Sequence, residues 1–81
     1  MNHDNAYIEY VDFITSQPTM EQIIEFRPSR STQDRIRYLM NAKLNHALTM
    51  DEETELDEYY RASKFLHQLK LRAQRRLETL Q

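Results

Sequence analysis

The chain has 81 residues, the size of one small domain, and a chain of that length buries only about 60% of its surface on folding, so a partner or a second copy would add needed stability. It has no cysteine, which excludes disulfides and thiolate metal sites and fits a reducing, cytoplasmic setting. Eleven Lys and Arg against thirteen Asp and Glu give a net charge of −2, which excludes the strongly basic footprint of a general nucleic-acid binder.

The first residues are acidic where a secretory signal is basic, and apolar runs are short, so neither secretion nor a membrane span is expected. Glycine is absent and proline occurs twice. The residue on which tight hairpins, phosphate-cradling loops and left-handed helix caps most rely is therefore missing, and helices are favoured over sheets. Charge falls in blocks: residues 1–26 hold five acids and no base, 27–43 five bases and one acid, 51–58 six acids, and 61–76 six bases and no acid.

Tyr7, Ile8, Val11 and Ile14 recur at helical spacing with Glu9 and Asp12 turned elsewhere, which predicts a short helix over about residues 5–15. Thr19-Met20-Glu21-Gln22 has the form of a capping box, so a second short helix runs to about Phe26 and stops before Pro28. With Ser29 or Ser31 as N-cap, the stretch to Leu44 places Ile36, Leu39, Met40 and Leu44 on one side and Arg30, Arg37 and Lys43 largely on the other. That pattern predicts an amphipathic helix of about four turns.

A second capping box, Thr49-Met50-Asp51-Glu52, opens a stretch free of Pro and Gly that continues to the C-terminus and reaches about 45 Å as one helix. Along it Tyr59, Ala62, Leu66, Leu69, Ala73, Leu77 and Leu80 recur at spacings of three and four, close to a coiled-coil seam. Leu56, Tyr60, Phe65 and Leu71 widen that surface, while acids early and bases late suit the helix dipole. The expected fold is all-α, one domain over residues 1–81: two short N-terminal helices within 1–27, packed on a hairpin of helices over 29–45 and 50–80.

Little in the chain has the form of catalytic machinery. Ser16, Ser29 and Ser31 sit where helix capping accounts for them, leaving Ser63, and His3, His46 and His67 are far apart in sequence. Glu52, Glu55 and Glu58 stand three apart and could share a face around a hard cation, but the Glu-x-x-His of bundled di-iron sites is absent. The expected reading is a solvated helix start; Asp57 and Glu58 could instead pair with Arg61 in a surface contact. No enzyme activity, metal or cofactor is expected.

Lys64, Lys70, Arg72, Arg75 and Arg76, with His67, make the later half of the long helix the candidate contact for an anionic partner, whether phosphate backbone or an acidic protein surface. The bland reading of the same residues is a solubilising rim around a leucine seam. Arg27, Arg30, Arg35 and Arg37 form a second cluster, best used within the chain against its acidic blocks, since neither the tight turn nor the recognition helix of a helix-turn-helix is evident. Tyr59 and Tyr60 are adjacent on a helix and cannot both enter one small core, so the pair is a candidate for partner contact.

The run Phe26-Arg27-Pro28-Ser29 and a following helix, then Leu48-Thr49-Met50-Asp51-Glu52-Glu53, Glu55-Leu56-Asp57-Glu58-Tyr59 and Phe65-Leu66-His67-Gln68-Leu69-Lys70-Leu71-Arg72-Ala73, resembles a group of small bacterial helical proteins. That group, common in cyanobacteria, looks like antitoxins or accessory partners of nucleases, and the resemblance covers about residues 7–75. The group commonly has a glycine in the turn before its Leu-Thr and a proline after the Thr, where this chain has His46 and Met50.

The resemblance implies a chain that steadies or neutralises a toxin-like nuclease by laying a long helix over it. On that reading Tyr59, Phe65, Leu66, Leu69, Ala73 and Leu77 face a protein partner, and Lys70, Arg72, Arg75 and Arg76 form the charged rim. Two rival readings stand beside it: a DNA-binding, autoregulatory protein in which Arg72, Arg75 and Arg76 contact phosphates, and a homodimer serving a larger assembly. The seam exceeds what one small body covers, so a homo- or hetero-oligomer is expected.

Overall fold

Four helices follow in chain order in the computed structural model, which describes residues 5–80: α1 (Ile8–Thr15), α2 (Met20–Glu25), α3 (Arg30–Leu44) and α4 (Met50–Thr79), with no strand among the described residues. His3 lies outside them. The fold is all-α, as the missing glycines and the helical periodicity require. No helix among the described residues is long and apolar enough to cross a membrane.

The helix starts are set by side chains that satisfy free backbone N–H groups. Thr19 Oγ1 accepts from the Gln22 backbone N–H at 3.1 Å while Gln22 Oε1 accepts from the Thr19 N–H at 2.9 Å. Thr49 and Glu52 repeat the exchange at 3.1 and 3.0 Å. Of the two serines that could begin α3, Ser29 is the N-cap, accepting from the Thr32 N–H at 3.3 Å.

The exits of α1 and α3 use left-handed backbone in a chain without glycine. At the end of α3 the Ala47 N–H bonds the Ala42 carbonyl at 2.8 Å and the His46 N–H bonds the Lys43 carbonyl at 3.1 Å, a Schellman closure that puts His46 at φ 55°. Gln17, after α1, takes φ 60°. The left-handed turn between α3 and α4, a place that glycine takes without strain, is thus made here by a histidine, at some steric cost.

α4 is the spine, and it sets the longest dimension of a body measuring 49 × 26 × 18 Å. α2 packs on it most extensively, α1 next and α3 least. α3 therefore meets α4 through a few residues, Arg35, Tyr38 and Leu39 among them, while α1 and α2 supply most of the cover. Ala6, Leu39 and Leu56 form the core, with Ile36, Leu48 and Tyr59 against it. An aromatic cluster seats the other two helices: Tyr10 lies edge-on to Phe26 (5.4 Å) and Tyr59 (5.6 Å), and Phe13 meets Phe26 at 4.4 Å.

Three expectations are corrected. On α1 the buried side chain is Tyr10, and Ile8 and Val11 are exposed; this helix is apolar on most sides, and the aromatic contacts decide which side turns inward. On α3 only Leu39 of the predicted stripe is buried, and Leu44 is 79% exposed because α4 meets a narrow line of this helix. Glu55 is no solvated helix start: it is 6% exposed, accepts from Arg35 Nε at 3.0 Å and Nη2 at 2.8 Å, and accepts from the Ala6 N–H at 2.8 Å.

Glu9 ties α1 to the start of α3. Its carboxylate accepts from the Ser29 N–H at 3.0 Å, the Ser29 hydroxyl at 2.9 Å and the Thr32 hydroxyl at 2.7 Å. Burial pushes its pKa up, but the hydrogen bonds from Thr32 and Ser29 together outweigh that and hold it below the ordinary 4.5.

Because the folded-state pKa of Glu9 is depressed, its contribution is complete above the ordinary carboxylate value and is lost as pH falls through the lowered one. Glu9→Gln is therefore expected to be less stable than the parent at neutral pH, with the gap in urea midpoint closing in acid as pH falls through the lowered carboxylate value. A gap of equal size at neutral and acid pH would remove the charged cap from the account. At the α3 exit, His46→Gly relieves a left-handed residue and is expected to raise stability by about 1 kcal/mol, read as a higher urea midpoint; an unchanged or lower midpoint would mean the histidine is held by contacts that offset the strain.

Candidate protein-interaction face

The residues singled out along α4 divide by the side of the helix on which they fall. Tyr59, Leu66 and Ala73 form its inner row. Leu66 is 3% and Ala73 5% exposed, and Tyr59 turns inward with its ring edge-on to Tyr10. These three were expected to face a partner; the chain's own α1 and α2 cover them. The neighbouring Tyr60 points outward, its ring 5.5 Å from Lys43 Nζ.

Phe65, Leu69 and Leu77 keep accessible surface, and Phe65 is 54% exposed. Steps of three and four put residues 58, 62, 65, 69, 72 and 76 on one flank of α4. Two grooves run along it. The first, of ≈ 320 Å³, lies between α1 and α4 and is lined by Tyr7, Val11 and Ile14 facing Ala62 and Phe65, with Glu58 and Arg61 at its edge. The second, of ≈ 270 Å³, lies between α2 and α4, where Met20 and Ile23 face Leu69, Ala73, Arg72 and Arg76. The α1 and α2 residues of this face were not foreseen; the one available signal was that α1 carries more apolar residues than a single buried stripe needs.

The charged rim also divides. Lys70 is engaged inside the chain: Nζ donates to the Phe26 carbonyl at 2.9 Å, fastening the end of α2 to α4. Its expected place on an outward rim is therefore corrected. Arg72, Arg75 and Arg76 are exposed, and among the described residues none has a carboxylate within 4 Å. Arg61 pairs with Glu58 at 3.4 Å, as the spacing predicts.

The acidic turns of α4 are used locally. Glu52 holds the helix cap and accepts from the Tyr38 hydroxyl at 2.9 Å, and the Thr49 N–H first and then Tyr38 hold its carboxyl below the usual range. Glu52, Glu55 and Glu58 thus each bond a different partner, and no group of three side chains able to hold a metal ion occurs among the described residues. Ser16 donates to the Phe13 carbonyl at 2.6 Å and Ser29 caps α3. Ser63 and His67 border a small cavity on the other flank of α4, and His46 sits in the α3–α4 turn.

Comparison of the chain with protein-family models, with curated proteins and with solved structures gives no match.

The division into inner row and open flank has a stability signature. Leu66→Ala is expected to cost about 2–4 kcal/mol, because it deletes a buried side chain that cannot be replaced by neighbours, whereas Phe65→Ala costs under about 1 kcal/mol. Urea unfolding of the two variants measures both. Equal losses would show that Phe65 belongs to the core and that the open flank is closed.

Proposed function

We propose that the chain is a non-catalytic, cytoplasmic protein-interaction module that receives an apolar, acid-rimmed surface of a partner protein on the α1, α2 and α4 flank. The observation that carries this reading is Phe65, a phenyl ring left half in water between two helices, in line along α4 with the Leu69 groove. Leaving such a ring open forgoes about 2 kcal/mol of burial. A partner surface placed there recovers it. Arg72 and Arg76, without carboxylates of their own among the described residues, complement acids on the partner and favour rapid encounter.

In the narrower form of the proposal the partner is a toxin-like nuclease and the chain is its antitoxin. The resemblance of the sequence supports that form, and the apolar flank supports the wider one. A second reading also has a specific observation in its favour: Arg72, Arg75 and Arg76 lie within about 100° of one another around α4, a spacing that suits phosphates along a nucleic-acid backbone.

The test is purification of tagged chain from cells that make it naturally, with Phe65→Asp and Leu69→Asp alongside. The expected result is one acidic protein in stoichiometric amount, retained at raised salt and lost from both variants, whose helical circular dichroism stays that of the parent. Retention by both variants would overturn the proposal. Recovery of nucleic acid that leaves steeply with salt would replace it by the phosphate reading, and recovery of the chain alone as a dimer would replace it by self-association.

A further inference from the structure

The opposite flank of α4 has a different chemistry. There Ser63, His67 and Lys70 stand on successive turns of one face, and together with Arg27, Tyr10 and Phe26 they border a cavity of ≈ 190 Å³. Polar groups of three kinds converge on it, and no carboxylate lines it. Among the described residues neither Arg27, His67 nor Lys70 has an acidic group within 4 Å.

The two strongest charges are held side by side without a counterion among the described residues. Arg27 Nη1 and Lys70 Nζ both donate to the same acceptor, the Phe26 carbonyl oxygen, at 3.0 and 2.9 Å. The two cationic nitrogens therefore stand no more than about 6 Å apart, where like charges repel. One neutral oxygen satisfies geometry but not charge. Burial first, and then the charge of Arg27, hold the Lys70 amine below its ordinary pKa, the direction expected for unneutralised positive charge.

We infer that this cavity is a binding site for a compact oxyanion of the phosphate class. Lys70 has three N–H donors and Arg27 five, so each keeps donors beyond the one given to Phe26, and Ser63 adds a hydroxyl. Three phosphate oxygens match such a set, with the guanidinium fork taking two and the ammonium acting as a point charge. The rings of Tyr10 and Phe26 with Pro28 form an apolar wall beside the anion position, so a small phosphomonoester fits as well as the free ion. Ser63, which lies within α4 away from either end of that helix, has a use here. This site is independent of the Phe65 flank and of any protein partner received there.

Inorganic phosphate titrated into the full chain at constant ionic strength, with backbone amide and His67 ring signals followed by NMR, tests the inference. Saturable shifts are expected at Arg27, Ser63, His67 and Lys70 and none at Phe65 or Val11. Lys70→Gln keeps a donor for the Phe26 carbonyl and loses the charge, and it is expected to weaken phosphate by about tenfold or more. Arg27→Gln does the same, and its exposed position keeps the fold out of the comparison, while Arg75→Gln, outside the cavity, leaves the affinity unchanged.

Phosphoserine binding more tightly than phosphate identifies a phosphomonoester whose organic part uses the aromatic wall; equal affinity identifies the free ion. Shifts that grow without saturation overturn the site. So does an equal loss in Arg75→Gln, or acetate binding as tightly as phosphate.

Discussion

Glu55 is an anion in the interior of a very small protein, and the arrangement of three segments follows from how that charge is satisfied. Removing a carboxylate from water costs several kcal/mol unless partners replace the water. Arg35 of α3 forks onto both oxygens, and the Ala6 N–H ahead of α1 donates to one of them. Ala6, Leu39 and Leu56, all nearly inaccessible, form the apolar core beside the pair, in which Glu55 is the buried member while Arg35 keeps some solvent contact. Arg35 is itself steadied, lying 5.0 Å over the Tyr38 ring and 3.9 Å from Glu52. Since α3 and α4 pack against each other only lightly, this charge cluster and the few apolar residues around it fix the angle at which the hairpin opens. A hydrophobic contact of equal size would hold the helices together without specifying one register, whereas a forked guanidinium accepts few geometries.

Local signals in the sequence proved legible to within a residue or so. Thr19 with Gln22, and Thr49 with Glu52, mark the starts of α2 and α4 because a capping box needs only neighbours in the chain. Pro28 and the absence of glycine bound the rest. What the chain alone conceals is which side of each helix turns inward. Glu55 was lost among the six acids of its block, although it lies one residue before Leu56 on a helix whose inner row it joins. Leu66 and Ala73 have the spacing of a seam, but spacing gives no means of telling whether the seam is met by another molecule or by the chain's own α2. On α1, apolar on most sides, periodicity favoured Ile8 and Val11, and the ring contacts of Tyr10 with Phe26 and Tyr59 chose otherwise.

α4 can be described as a spine with one closed side and two open ones. The inner row is occupied within the chain. One flank carries Phe65 and Leu69 between apolar neighbours from α1 and α2, and the other carries Ser63, His67 and Lys70 beside Arg27. A body this small has too little core to bury all of its large apolar residues, so Phe65, Leu44 and Leu71 remain in water. Such exposure is the basis of the interaction proposed above, in which the basic residues that flank it would favour surfaces of complementary sign.

The length of α4 has a further consequence for how the molecule moves. Its first turns are anchored by Glu55, Leu56 and the capping box, while beyond Ala73 only Leu77 is partly covered. Protection of its amide hydrogens from exchange should therefore decline along the helix, from values near global unfolding around Leu56 to rapid fraying in the last two turns. Arg75 and Arg76 lie on that loosely held end. A partner that engaged them would also have to order that part of the helix, and the entropy lost there would offset part of the attraction.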